Sequence, residues 1–165
     1  MNPTGIIRKI DDLGRIVLPK ELRRHLNINT GDDFQIILDN NRIILERYSY
    51  LKNYEKDILK IIESFTEVTN YDINLVINNG IVNKNNSKIL ENIINIISER
   101  KLYVKEEVQN YKISNDVIKE GKIVIFPIVI NSDLLGSIII ISKDNINNLI
   151  NTAKIINNLI KNYYI

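Results

Sequence analysis

The first fifty residues alternate short apolar segments with turn residues, a pattern typical of short strands connected by tight turns. A helix of about two turns is predicted over Lys20–Leu26, because Pro19 suits the first helical position and Leu22 precedes Leu26 by one turn. Four strands are predicted around it: Gly5–Ile10, Gly14–Leu18, Phe34–Leu38 and Arg42–Arg47. A β-β-α-β-β segment of this size cannot bury a sound core alone. We therefore expect the strands of two chains to complete one barrel in an obligate dimer.

From Tyr54 onward, the apolar spacing changes to that of amphipathic helices separated by strands. Helices are predicted over Tyr54–Val68, Ser87–Glu99 and Ile146–Tyr163. Strands are predicted over Ile73–Ile77, Ile81–Val82, Lys122–Ile130 and Leu135–Ser142. Gly136, inside the last strand, predicts a bulge or a close backbone approach. The order α-β-β-α-β-β-α indicates an α+β domain with an antiparallel sheet and flanking helices, and the chain is predicted to hold two domains, residues 1–50 and 51–165.

The last predicted helix carries an apolar face wider than one packing partner needs, with Ile155 and Leu159 beside the main stripe. Together with the helix over 54–68, it could form a four-helix bundle with the same two helices of a second chain. A homotetramer results if the two domains dimerise with different partners, and a homodimer results if they share one partner.

Composition narrows the chemistry that the chain can perform. There is no cysteine, and the single histidine is His25. Disulfides, a thiolate nucleophile, sulfur-ligated zinc and a two-histidine metal site within one chain are therefore excluded. We expect no catalytic residue, no metal and no cofactor. The longest apolar run is far shorter than a spanning helix needs and the N-terminus lacks an apolar segment, which predicts an intracellular protein outside the membrane.

The net charge of +2 conceals an uneven distribution of arginine. Six of the seven arginines lie in the first 47 residues, and lysine supplies nearly all of the positive charge after them. The planar guanidinium with its five donors suits phosphate and guanine, whereas the lysine ammonium is a hydrated point charge. A cluster of arginines is often only a solvated surface, but this segregation favours a first domain that binds nucleic acid.

Residues 4–28 read TGIIRKIDDLGRIVLPKELRRHLNI, and residues 31–48 continue with GDDFQIILDNNRIILERY. This segment resembles the N-terminal DNA-binding domain of the AbrB family of transition-state regulators. The resemblance implies a swapped-hairpin β-barrel built by two chains, and hence a homodimer. It also implies that double-stranded DNA is bound by the arginines that match the motif of the family: Arg8, Arg15, Arg23 and Arg24.

Residues 125–144, IFPIVINSDLLGSIIIISKD, resemble the GAF-type domain of sporulation regulators in this family. The resemblance implies a regulator of late, forespore-stage genes that represses some and activates others, in the cytoplasm and associated with the nucleoid. It also implies a small-molecule pocket between the sheet and a helix. The candidate lining residues are Ile77, Ile81, Tyr103, Phe126, Ile128 and Ile138. The same residues could instead form only the core.

The DNA-binding surface is predicted to comprise six basic residues: Arg8, Lys9, Arg15, Lys20, Arg23 and Arg24. Guanidinium groups can contact phosphates and reach base edges, and the lysines add attraction that is independent of sequence. Asp12 and Glu21 are candidates for ion pairs that hold arginines in position. Arg42 and Arg47 are expected to be solvated. His25 is expected to be a partly exposed helical residue, or else an extra phosphate contact below about pH 6.5.

Two other classes of function compete with a DNA-binding regulator. Swapped-hairpin barrels also occur in antitoxins, but an antitoxin is expected to continue as a short flexible tail, whereas here a long segment with folded periodicity follows. The second domain contains no cysteine, no histidine and no glycine-rich phosphate-binding loop. It therefore lacks the groups that catalysis most often uses, which argues against an enzyme. The sequence therefore favours a regulator, with an antitoxin as the alternative.

Overall fold

The computed structural model describes residues 5–26, 28, 30–130 and 132–164. The chain divides into two compact units, Met1–Tyr48 and Ser49–Ile165. This division lies two residues before the boundary that the sequence predicts. Within the described residues, no helix combines the length and the apolar character that crossing a membrane requires.

The first unit contains one short helix, α1 (Lys20–His25), and an antiparallel hairpin of β1 (Phe34–Asp39) and β2 (Arg42–Arg47). Asn40 turns the hairpin with a positive φ of 52°, a conformation that asparagine tolerates better than most residues. These three elements confirm the sequence prediction to within one residue at each end.

The other two strands predicted for the first unit are wrong for the single chain, because Gly5–Ile10 and Gly14–Leu18 are not strands. The turn between these two N-terminal arms does form: the Gly14 amide donates to the Asp11 carbonyl (2.9 Å), and the Asp11 amide donates to the Arg15 carbonyl (3.0 Å). A strand needs a neighbour that takes up its backbone hydrogen bonds. In the described part of the first unit, β1 and β2 pair only with each other.

None of the described residues in the first unit is buried in the single chain. In the part of the β1–β2 hairpin nearest its turn, one face is apolar, because two apolar pairs lie directly opposite each other there and share that face. This apolar hairpin face consists of Ile36, Leu38, Ile43 and Leu45. Leu38 is 78% exposed and Ile36 is 70% exposed, so the face lacks a cover within the described part of the unit.

The second unit is a six-stranded antiparallel sheet with helices on both faces. Its strands are β3 (Asp72–Ile77), β4 (Gly80–Ile81), β5 (Ser87–Lys88), β6 (Tyr103–Lys112), β7 (Ile118–Ile130) and β8 (Asp133–Ser142). Its helices are α2 (Tyr50–Asn53), α3 (Glu55–Thr69), α4 (Glu91–Ser98) and α5 (Ile146–Tyr164). The strand order β5-β4-β3-β8-β7-β6 makes β5 and β6 the two edges. The predicted α+β class with an antiparallel sheet is confirmed.

The sheet separates two hydrophobic cores. On one face, Ile58 of α3 and Ile156 of α5 share a core with Ile138 of β8. On the other face, Ile93 of α4 shares a core with Ile139 of β8. Successive side chains of a strand point to opposite faces, so the isoleucine-rich segment of β8 fills both cores at once.

Strand β6 is the longest element that the sequence pattern does not predict. Its residues read YVKEEVQNYK, and most of them are exposed. The segment is a strand because its backbone pairs with β7 at the edge of the sheet, with a register shift between Lys105 and Gln109. Its polar composition suits an exposed edge, and this is why the apolar pattern missed it.

The helix predicted over Ser87–Glu99 is wrong in its first turn. Ser87–Lys88 forms β5, and α4 begins at Glu91. The Ile89 amide donates to the carbonyl of Asn79 (3.0 Å), which continues the pairing between β5 and β4. Pairing with a neighbouring strand therefore overrides the local helical spacing here. The short helix α2 lies between the predicted strand Arg42–Arg47 and the predicted helix Tyr54–Val68, where the pattern predicts no helix or strand.

Gly136 lies where the sequence predicts a bulge or a close approach, and both are confirmed. The register between β7 and β8 shifts between Ile128 and Val129, beside the pair of Ile128 and Gly136. A Cβ atom at position 136 would lie 2.5 Å from the carbonyl oxygen of Val76 and 3.1 Å from a methyl carbon of Leu51. Only glycine fits this contact between β8 and β3 without movement of the backbone.

The Gly136→Ala variant is expected to lower the free energy of unfolding of the second unit by about 1–3 kcal/mol, because the added methyl group overpacks the contact with Val76. Gly80→Ala is the matched control: its nearest neighbour would lie 3.4 Å away, so we expect little change or a small stabilisation. Urea unfolding followed by circular dichroism measures both variants. Equal free energies of unfolding for the two would contradict the close approach.

Candidate nucleic-acid interface

Arg15 is held by the turn that begins at Asp11. One carboxylate oxygen of Asp11, Oδ1, accepts hydrogen bonds from the amides of Leu13 (3.0 Å) and Arg15 (2.9 Å). The other oxygen, Oδ2, accepts a hydrogen bond from Arg15 Nε at 2.8 Å. Gly14 completes the turn with a φ of 74°, which residues with a Cβ rarely adopt. The ion pair uses one of the five N–H donors of the guanidinium, so the remaining donors can bond a phosphate.

The carboxylate of Asp11 is stabilised in its charged form. Hydrogen bonds from the Arg15 amide and from the Arg15 side chain hold the pKa of Asp11 below its ordinary value. The sequence favours Asp12 and Glu21 as ion-pair partners, whereas the structure pairs Arg15 with Asp11. The spacing of Asp11 and Gly14 is the signal that could have found this pair, because aspartate commonly accepts hydrogen bonds from amides that follow it in a turn.

Helix α1 carries three of the six predicted basic residues. It follows Pro19, whose carbonyl accepts a hydrogen bond from the Arg23 amide at 3.0 Å. Lys20 begins the helix and is exposed, as are Arg24 and His25 in its last turn; Arg23 is half-buried. Cations in the last turn of a helix interact favourably with its dipole, so these arginines stabilise α1 as well as offering donors to a ligand.

The remaining basic residues, Arg8 and Lys9, lie on the first N-terminal arm, and both are exposed. Arg8 Nη1 donates a hydrogen bond to the carbonyl of Ile7 at 2.9 Å. Arg42 is exposed at the start of β2, whereas the side chain of Arg47 lies outside the described residues. The six predicted basic residues therefore belong to two local elements: the N-terminal arms with their turn, and α1.

The six residues expected to line a pocket are divided between the two faces of the sheet. Ile77, Ile128, Ile138 and, at its margin, Phe126 belong to the core beneath α3 and α5. Ile81 and, at its margin, Tyr103 belong to the core beneath α4. The structure therefore does not bring all six together. Of the six, Ile77 also lines an open cleft at the end of the β3–β4 hairpin.

Some known proteins are similar only to the first unit, and one is similar to most of the chain. Residues 7–53 match the family described as antidote-toxin recognition MazE, bacterial antitoxin. Stage V sporulation protein T of Bacillus subtilis (strain 168) is 30% identical over 157 residues, which cover 87% of this chain and 86% of that protein. The chain belongs to the stage V sporulation protein T family. The similarity to this family extends over both units, not only over the basic first unit.

Two shorter relatives match only the first unit of this member of the stage V sporulation protein T family. Transition state regulatory protein AbrB of the same organism is 52% identical over 48 residues, or 29% of this chain and 50% of that protein. Putative transition state regulator Abh is 48% identical over 48 residues, or 29% of this chain and 52% of that protein. The AbrB resemblance of the first unit is confirmed.

Proposed function

We propose that the protein is a dimeric, DNA-binding transcriptional regulator of late sporulation genes in the forespore, repressing some and activating others. The motif arginines are Arg8, Arg15, Arg23 and Arg24. The observation that carries the proposal is that three of them are exposed and the fourth is partly exposed, on elements of a unit that matches AbrB. The relatives AbrB and Abh are named as transition state regulators, which supports control of transcription.

Two features of the single chain support a swapped-hairpin dimer. The N-terminal arms have strand-like sequences but no strand neighbour among the described residues of their unit, and the apolar hairpin face is exposed. In a swapped dimer, the arms of one chain pair with strands of the other, and the apolar hairpin faces form a shared core. Full burial of one leucine or isoleucine side chain contributes about 1.5–3 kcal/mol, so this core is a strong driving force for dimerisation.

Dimerisation also doubles the positive charge offered to DNA. Two copies of the motif supply eight guanidinium groups, and Lys9 and Lys20 add further positive charge. Contacts with phosphates fix the position of the protein along the duplex, whereas contacts with base edges in the major groove select sequence. The ion pair with Asp11 pre-orients Arg15 for such a contact, which reduces the rotamer entropy lost on binding.

The salt dependence of binding tests this proposal. We expect a fluorescent duplex of about 40 base pairs, roughly four helical turns, to bind tightly at low salt. The log of the affinity should fall against the log of the salt concentration with a slope of about −5 to −7, as expected if roughly six to eight phosphates are neutralised. Fluorescence anisotropy at several salt concentrations measures the slope. Absence of binding, or a slope near zero, would contradict the proposal.

The second unit is proposed to be a GAF-like module for assembly and ligand sensing. Its helices α3 and α5 expose apolar side chains, with Val68 83% exposed and Ile155 49% exposed. Packing of α3 and α5 against the same helices of a second copy would form a four-helix bundle. If the first units dimerise with different partners, the assembly is a homotetramer. A DNA-bound regulator of this kind acts in the cytoplasm, in association with the nucleoid.

An antitoxin that binds a toxin partner is the second candidate function, because residues 7–53 match the MazE antitoxin family. The folded second unit weighs against it, because Ser49–Ile165 builds a six-stranded sheet rather than a short flexible tail. A protein that assembles normally but fails to bind any duplex would favour this second function and direct the search to a protein partner.

A further inference from the structure

The turn that begins at Asp11 determines which end of the Arg15 guanidinium is free to bind a ligand. Arg15 Nε donates to Asp11 Oδ2 at 2.8 Å, whereas neither terminal nitrogen, Nη1 or Nη2, makes a hydrogen bond within the described residues. The carboxylate is itself fixed, because Oδ1 accepts from the amides of Leu13 and Arg15. Since the Arg15 side chain is 68% exposed, the two terminal nitrogens and their four N–H donors remain accessible.

Arg15 differs in this respect from the other three motif arginines. In the part of the chain that the structure describes, it is the one that an acidic side chain holds in an ion pair. Arg8 Nη1 donates to the carbonyl of the residue before it, and Arg23 and Arg24 project from α1 without an acidic partner among the described residues. A free arginine can turn to follow a phosphate, whereas a held arginine offers its donors in one direction. Arg15 is therefore suited to a contact with strict geometry.

The Asp11 carboxylate also changes the kind of DNA atom that suits Arg15. It offsets part of the positive charge that would attract a phosphate, and as an anion it is repelled by the phosphates of the duplex. The O6 and N7 acceptors of guanine carry no full charge, and the two terminal nitrogens of an arginine fit them bidentately in the major groove. We propose that Arg15 recognises guanine through Nη1 and Nη2, with Asp11 as the positioning residue that holds it. This inference rests on the proposed function and deepens it.

Asp11→Asn separates the hold on Arg15 from the shape of the turn. The amide oxygen of asparagine can still accept from the amides of Leu13 and Arg15, but its NH2 group cannot accept from Arg15 Nε. The turn should therefore persist while the guanidinium is released. Asp12→Asn is the matched control, because it removes the same charge from the neighbouring exposed residue and leaves the bond between Asp11 and Arg15 in place.

Selection of duplexes from a random-sequence library with the full-length protein identifies the bases that it prefers. We expect a guanine to be enriched in each half-site and its enrichment to be lost with Arg15→Ala. Replacing this guanine by adenine should weaken binding of the unaltered protein about fivefold to a hundredfold, as expected for the loss of a bidentate contact. Replacing it by 7-deazaguanine, which lacks the N7 acceptor but keeps the base pair, should also weaken binding.

The two aspartate variants test the positioning role of Asp11. Asp11→Asn should lower the ratio of the affinities for guanine and adenine by at least about threefold, because the guanidinium loses one fixed hydrogen bond. Asp12→Asn should retain the ratio of the unaltered protein. Both variants remove a negative charge and should increase the general attraction to DNA. A loss of discrimination in Asp11→Asn alone therefore cannot come from the change in charge.

The outcomes distinguish this inference from the proposed function. A guanine preference that persists in Arg15→Ala or in Asp11→Asn overturns the inference, as does an equal loss in the Asp11 and Asp12 variants. Tight, salt-dependent binding without any enriched guanine also overturns it but leaves the proposed function intact. Absence of binding to every duplex overturns the proposed function, and this inference with it. Circular dichroism and sedimentation verify that each variant folds and assembles like the unaltered protein.

Discussion

Replacing both Arg23 and Arg24 by alanine is expected to weaken DNA binding by at least about a hundredfold. A dimer loses four guanidinium groups, and each arginine contact with a base or a phosphate contributes about 1–3 kcal/mol. The fold should persist, because Arg24 is exposed, Arg23 is only half-buried, and the backbone hydrogen bonds of α1 do not need either side chain. Anisotropy titration at fixed salt measures the affinity, and circular dichroism and sedimentation verify folding and assembly.

Two control variants test whether DNA binding depends on where the positive charge lies and on whether arginine carries it, rather than on the total charge alone. Lys119→Ala/Lys154→Ala removes equal charge from exposed positions of the second unit and should change the affinity little. Arg23→Lys/Arg24→Lys keeps the charge without the planar group of donors, so it should retain salt-dependent binding but discriminate less among sequences. If the double alanine variant bound DNA as tightly as the unaltered protein, the motif arginines of α1 would have no part in the interface.

Replacing Leu38 by lysine is expected to abolish tight DNA binding and, if the two units dimerise with different partners, to halve the mass of the assembly. Leu38 belongs to the apolar hairpin face, which is proposed to form the shared core of the swapped dimer. In the dimer, the substitution removes about 1.5–3 kcal/mol of burial from each chain and adds the larger penalty of an unpaired buried charge. Sedimentation equilibrium measures the mass, and anisotropy measures DNA binding.

Gln35→Lys is the control for the hairpin experiment, because Gln35 lies on the opposite face of β1, where it donates a hydrogen bond to Glu46 at 3.0 Å. It adds the same charge to the same strand and should preserve both the assembly and DNA binding. Since an added lysine by itself favours attraction to DNA, a loss seen only with Leu38→Lys reports the dimer core. Unchanged mass and affinity in Leu38→Lys would mean that the apolar hairpin face remains open to solvent in the native protein.

Strong periodicity explains which elements could be predicted from the sequence. The bounds of the helices predicted over Tyr54–Val68 and Ile146–Tyr163 differ from those of α3 and α5 by at most one residue. The predicted strand Leu135–Ser142 lies wholly within β8. Each of these elements packs against a core along its length, so the pattern of apolar residues and the pattern of burial coincide.

Elements that depend on a neighbour could not be found in this way. Strand β6 has mostly exposed, polar residues, and pairing with β7 makes it a strand. The N-terminal arms show the reverse case, because they have apolar strand sequences but lack a strand neighbour in the described part of the first unit. A strand is stabilised by hydrogen bonds to residues that are distant in sequence or belong to another chain, which no local pattern contains.

The candidate site also combines features that the sequence predicts with contacts that only the fold creates. The motif arginines could be named from the sequence because the segment that carries them resembles the DNA-binding domain of the AbrB family. The partner of Arg15 is decided by a turn in which the Asp11 carboxylate accepts two amides and one guanidinium N–H. The open cleft at the end of the β3–β4 hairpin is lined by residues from separate elements, such as Lys52 of α2 and Lys88 of β5, and their proximity follows only from the folded chain.

Residue types and short spacings alone indicate the two-part organisation, the α+β class of the second part, the absence of thiol chemistry and the basic motif of the first part. These properties depend on residue types and on spacings of a few positions, which are local. Three findings needed the folded chain: the six expected pocket residues divide between two cores, Ser87–Lys88 joins the sheet, and the apolar hairpin face is exposed in a single chain. These properties depend on which distant segments meet, because burial and pairing energies are realised only in the complete fold.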